Sequence, residues 1–128
     1  MRSSYDPSAG LLSESRSHPR AWGSFPRILG RYVRDEHLLT LEEAIRKMTS
    51  KAADRVHLSD RGLLRPGMIA DVTVFDAATI RDVSTFDDPK HYSTGVRHVL
   101  VNGKRVVADG TITSERPGRP LRGPGVQK

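Results

Sequence analysis

The chain contains no cysteine. Disulfides and thiolate metal sites are therefore excluded. Aromatic residues make up 5% and hydrophobic residues 36% of the 128 positions. That bounds the chain to one modest domain with a thin core for a self-sufficient enzyme. No apolar run approaches the roughly 20 residues of a membrane span. The N-terminus carries no apolar h-region, so no signal peptide is expected, and a cytoplasmic location is. The five histidines, His18, His37, His57, His91 and His98, form no H-x-H or H-x-x-x-H. No metal is expected on this chain, because isolated histidines make poor zinc sites. Nucleophile-elbow, phosphate-loop and dinucleotide fingerprints are absent too. Asp87 and Asp88 are adjacent carboxylates before Pro89. Neighbouring side chains in extended or turn backbone point apart, so the pair reads as a turn initiator and not as an acid/base couple. No residue of the chain is assigned a catalytic role.

What the chain has in excess is positive charge. It carries 21 Lys+Arg against 15 Asp+Glu, with a pI near 10.2. Nucleic-acid modules cluster such charge on a patch or stripe. Here it is dispersed. Arg116, Arg119, Arg122 and Lys128 lie among prolines and glycines with no aromatic between them. No nucleic-acid partner is expected, and the charge reads as a solvated surface with an anion site or two.

Residues 1–24 are polar and rich in Ser, Gly and Pro, which is loop chemistry. From Phe25 the apolar residues Phe25, Ile28, Leu29, Tyr32 and Val33 follow helical spacing. Ser24 is the expected cap and Pro26 falls in the first turn. Thr40 and Glu43 form a capping box ahead of the stripe Leu41, Ala44, Ile45, Met48. Ser50 is the expected cap of a short third helix through Ala52, Ala53 and Val56. The period then changes to two. Strands are expected at Leu63-Leu64, at Asp71 to Phe75 with Val72/Val74 alternating against Thr73/Phe75, at Val96 to Val101, and at Arg105 to Ala108. Asn102-Gly103 predicts a type I′ hairpin between the last two, because that turn needs two residues at positive φ. Four short strands with an exposed edge look like part of a larger sheet.

One segment departs from ordinary loop composition. Ser17 to Arg27 places His18, Arg20 and the lone Trp22 just ahead of a helix. An arginine fork meets a planar carboxylate with two parallel hydrogen bonds. A helix N-terminus beside it adds positive partial charge. The segment reads as a candidate anion site.

The run from His18 through Pro19, Arg20, Ala21, Trp22, Gly23, Ser24, Phe25, Pro26, Arg27, Ile28, Leu29, Gly30, Arg31, Tyr32 and Val33 to Arg34 resembles a signature of the N-acyl-D-amino-acid deacylases (D-aminoacylases) of the amidohydrolase superfamily. Leu39 to Ser50 resembles the family helix that follows; Ala52 stands where the family usually has proline. Asp60 to Asp76 and Val99 to Lys104 are similar to less specific superfamily segments. Together the resemblance spans roughly residues 11 to 123.

It implies an α+β fragment: the last helices of a TIM-type barrel followed by the C-terminal strands of a small β-sandwich. Residues 1–58 would be the loop and terminal barrel helices, 59–113 the sandwich part, and 114–128 a flexible tail. The resemblance further implies that zinc in the complete enzyme is held by residues upstream of this chain. The family's general-base Asp sits in a Ser-Asp-Gly; Asp6, in Ser-Tyr-Asp-Pro, does not match, and the role is not carried onto it. Arg20 matches the family residue that binds the substrate carboxylate, and His18 and Trp22 would line the same loop. The implied function is hydrolysis of the amide of N-acyl-D-amino acids, with the isolated chain inactive. Two alternatives stand beside it. The chain is a non-catalytic remnant or split-protein subunit, completed by an N-terminal chain or self-associating; or it is a basic nucleic-acid-binding module.

Overall fold

The computed structural model describes residues 17–121. Asp6, the rest of the N-terminal loop and residues 122–128 lie outside the described part. The chain is a small α+β unit: three helical elements, then one antiparallel sheet.

Helix α1 spans Arg20–Arg27 and continues as a π-helical segment, Ile28–Asp35. It begins five residues before the expected Phe25. Ser24 is therefore not its cap; the Ser24 hydroxyl donates back to the Arg20 carbonyl at 2.7 Å. Pro26 lies inside the helix, where it cannot donate to the carbonyl four residues back. Directly after it the hydrogen bonds widen to a spacing of five, and the Glu36 N–H reaches the Arg31 carbonyl at 2.8 Å. The expected face is kept by Ile28, Leu29 and Val33, which lie in or against the core, and only Phe25 falls off it. Phe25 is 62% exposed, whereas Leu29 is buried. His37, at φ 52, ends the segment in the left-handed conformation, and the Leu38 N–H closes it on the Tyr32 carbonyl.

Helix α2, Leu41–Met48, has the predicted cap: the Glu43 N–H donates to the Thr40 hydroxyl at 3.2 Å. The return half of the box is replaced, because the Glu43 carboxylate turns to Arg46 at 2.7 and 2.8 Å. That bond holds the Glu43 pKa down to about 2. The stripe packs as predicted: Ala44 is buried with Leu29 and Ile80, and Leu41, Ile45 and Met48 pack around them. Helix α3, Ser50–Arg55, follows with Thr49 at its N-cap position. Ser50 is not the cap; its hydroxyl lies against the Arg46 carbonyl. His57 ends α3 at φ 58, with the Leu58 N–H reaching the Ala53 carbonyl at 2.9 Å.

No strand forms at Leu63-Leu64, and Leu64 stays 87% exposed. The sheet is a meander in chain order: β1 Val72–Phe75, β2 Val96–Val101, β3 Lys104–Ala108, β4 Thr111–Ile112. An irregularity in the β1–β2 register at Val74/Phe75 breaks the expected alternation, leaving Val72 and Phe75 half-buried and Val74 exposed. Asn102 and Gly103 take φ 48 and 79, as the type I′ turn requires. Asp109 and Gly110 repeat the device at φ 48 and 75 and open β4, a strand the sequence pattern did not disclose.

The hairpin turn is docked onto the entry to β1. The Gly103 N–H donates to the Ala70 carbonyl at 2.9 Å, and the Asn102 N–H to Asp71 Oδ1 at 2.8 Å. Arg61, largely buried, holds the other Asp71 oxygen at 2.6 Å. The described part of the C-terminal segment is pinned to the same hairpin. Asn102 Nδ2 donates to the Pro117 carbonyl at 2.7 Å, and Lys104 pairs with Glu115 at 3.1 Å.

Candidate substrate-carboxylate site

The candidate residues sit at the start of α1. Arg20 is its first residue, and its side chain is exposed. No hydrogen bond or ion pair among the described residues engages the guanidinium. His18 Nδ1 accepts the Arg20 backbone N–H at 3.1 Å. The neutral ring therefore carries its proton on Nε2. Trp22 donates its indole N–H to the Ser17 hydroxyl at 3.4 Å. Arg20, His18 and Trp22 are thus brought together on one turn, as the sequence placed them.

The first helical N–H groups are already paired within the loop: Arg20 with His18 Nδ1, Ala21 with the His18 carbonyl at 3.0 Å, and Trp22 with the Pro19 carbonyl at 3.0 Å. The helix terminus therefore contributes its dipole and no free donor.

Three neighbours were not foreseen. Phe86 meets the His18 ring edge-on at 5.0 Å and 73°, and Tyr92 meets Trp22 at 5.5 Å and 75°. Asp82 presses its carboxylate against Gly23, so closely that a β-carbon at that position has no room. Gly30, one heptad on, would place a β-carbon 2.5 Å from the Ile80 carbonyl oxygen. The two glycines are a seat for the chain from Ile80 to Asp82. Arg34 fastens the same segment by donating to the Ile80 carbonyl at 2.7 Å. A signal for the aromatics was available. The chain has three Phe and three Tyr, and two of these six stand in a connection with no strand or helix pattern.

Two further histidines have partners of their own. His98 accepts the Asp109 N–H at 3.2 Å, and His91 pairs with Asp88 at 2.6 Å in the turn after Thr85. No group of three or more His, Cys, Asp or Glu side chains among the described residues is arranged to hold a metal ion. The donor set does not fit one. A second feature, an open apolar cleft of about 780 Å³, lies between α2–α3 and residues 62–75, lined by Leu41, Ile45, Leu63, Leu64, Met68 and Val72. None of Arg20, His18 or Trp22 borders it. No helix is long and apolar enough to cross a membrane among the described residues.

The described residues thus form a small α+β unit with an exposed arginine at the start of its first helix. The chain belongs to the amidohydrolase family, whose pattern matches residues 12–107. It is 53% identical over 115 residues to an N-acyl-D-glutamate deacylase of Alcaligenes xylosoxydans xylosoxydans, covering 90% of this chain and 23% of the relative. It is 46% identical to a D-aminoacylase of the same organism, covering 89% of this chain and 24% of the relative. Among solved structures it matches the N-acyl-D-glutamate deacylase of Bordetella bronchiseptica complexed with zinc and a phosphonate inhibitor, with TM-score 0.77, 49% identity, and 90% and 24% of the two chains covered. It also matches a D-aminoacylase variant in complex with copper chloride, with TM-score 0.82, 46% identity, and 89% and 24% covered. The chain spans about a quarter of the length of these relatives.

Proposed function

We propose that this chain is the C-terminal part of a metal-dependent deacylase of N-acyl-D-amino acids, and that Arg20 binds the carboxylate of the amino-acid moiety. The observation that carries the reading is the exposed Arg20 guanidinium, engaged by no described residue and set at the start of α1 in a chain whose relatives are deacylases of this class. Substrates of that class all bear a carboxylate beside the amide. A fork on that carboxylate would hold the substrate in the site through two charge-assisted hydrogen bonds. In this reading α1 to α3 close the end of a barrel, and β1 to β4 belong to a small sandwich shared with upstream strands. The metal is held upstream. The apolar cleft and the exposed Leu64 and Val74 support it, because an isolated domain seldom leaves such a surface open. By itself the chain would be inactive.

The test is a hybrid enzyme in which this chain replaces the matching segment of the Alcaligenes N-acyl-D-glutamate deacylase. The hybrid should hydrolyse N-acyl-D-glutamate, leave the L-enantiomer, and lose activity on metal chelation. The isolated chain should show no hydrolysis. A folded hybrid that takes no N-acyl-D-amino acid would refute the reading.

A further inference from the structure

The connection from Asp82 to Ser93 is not used by the reading above, yet it is built against the Arg20 loop. Its two ring contacts fall on the residues two before and two after Arg20: Phe86 on His18, Tyr92 on Trp22. The connection is internally braced. The Ser84 N–H donates to Asp82 Oδ1 at 2.9 Å, the Ser84 hydroxyl to the His91 carbonyl at 3.2 Å, and the Asp88 N–H to the Thr85 hydroxyl at 3.0 Å. Its first residue is seated at Gly23.

We infer that Phe86 is a positioning residue for Arg20, acting through His18. An edge-on ring pair constrains the plane of the imidazole. The plane of His18 decides whether Nδ1 points at the Arg20 N–H, and that bond is the first backbone contact of α1. Removing the Phe86 ring leaves His18 free to turn, so Arg20 starts the helix without its fixed acceptor. The guanidinium then samples more orientations, and each productive orientation is less populated. Tyr92 holds the other flank through Trp22. This inference rests on the reading of Arg20 as the carboxylate ligand.

Steady-state kinetics of the hybrid with N-acyl-D-glutamate test it. Phe86→Leu keeps the apolar bulk and removes the ring. It should raise KM about two- to tenfold, the range of an aromatic pair, with kcat unchanged, because carboxylate binding is shared by ground and transition states. Phe86→Tyr should keep the parental KM. His18→Ala should raise KM by a similar factor, and Phe86→Leu should add nothing on top of it. An unchanged KM in Phe86→Leu, or effects that multiply in the double variant, would overturn the inference. If Phe86→Leu does not accumulate as folded enzyme, Phe86→Met asks the same question, and a parental KM in His18→Ala overturns the inference alone. Arg20→Met separates the two levels. If it leaves KM unmoved, the carboxylate reading fails. If it raises KM while Phe86→Leu does not, only the role of Phe86 fails.

Discussion

The Oδ1 atom of Asp71 accepts the backbone N–H of Asn102 at 2.8 Å, joining residues 31 apart in sequence. Its second oxygen holds Arg61 at 2.6 Å. One carboxylate thus fixes the β2–β3 turn against the segment that leads from the helices. Replacing Asp71 by Asn keeps an acceptor for Asn102 but faces Arg61 with an uncharged amide. Loss of that charge-assisted bond should cost about 1–3 kcal/mol, since Arg61 is largely buried. Urea unfolding of the hybrid measures it. A change below a few tenths of a kcal/mol would show that the pair does not hold the turn.

Gly23 gives a prediction whose sign is informative. On helix propensity alone, alanine should stabilise a helix interior by about 1 kcal/mol. The Asp82 carboxylate occupies the space a β-carbon would need. Gly23→Ala should therefore destabilise by about 1–3 kcal/mol. In an Asp82→Ala background the same change should become neutral or stabilising. Thermal unfolding of the four combinations decides between propensity and packing.

The Glu43–Arg46 pair predicts a pH effect. The hydrogen bond from Arg46 lowers the Glu43 pKa from 4.5 to about 2. A depressed carboxylate pKa contributes stability that is present above the unfolded value and lost as pH falls through the folded one. The window is therefore pH 4.5 down to 2. The group is exposed, so the contribution is small and screened by salt. Glu43→Gln should flatten the fall in stability across that window at low ionic strength, and 1 M salt should narrow the difference. Parallel slopes for parent and variant at low salt would contradict the assignment.

Legibility followed how local each signal is. The Thr40 cap, the stripe around Ala44 and the Asn102-Gly103 turn are set by residues within one turn of each other, and the structure has all three. The first helix starts earlier than the spacing predicts because the stretch from Ile28 is π-helical and Pro26 lies inside the helix and not in its first turn. Leu63-Leu64 looked like a strand because two leucines between turn signals carry no sign of whether a partner strand exists. Asp109-Gly110 carries the same left-handed requirement as Asn102-Gly103, but the strand it opens has two residues, too few to alternate. Within the site, Arg20, His18 and Trp22 are contiguous and could be read together. Phe86, Tyr92 and Asp82 arrive from about 60 to 70 residues away, and no local pattern states which loop returns to which helix.

The most direct test of the central claim is the KM of the hybrid with Arg20 replaced by Met. Methionine keeps the length and apolar stem and removes the fork. Truncating one partner of a hydrogen-bonded charge pair that the bound substrate buries costs about 2–5 kcal/mol, or roughly 30-fold to a few thousandfold. The account predicts a KM for N-acyl-D-glutamate raised by about a hundredfold or more, with the thermal midpoint unchanged because no described residue pairs with the guanidinium. A parental KM in a folded Arg20→Met hybrid would contradict the assignment of Arg20 to the substrate carboxylate.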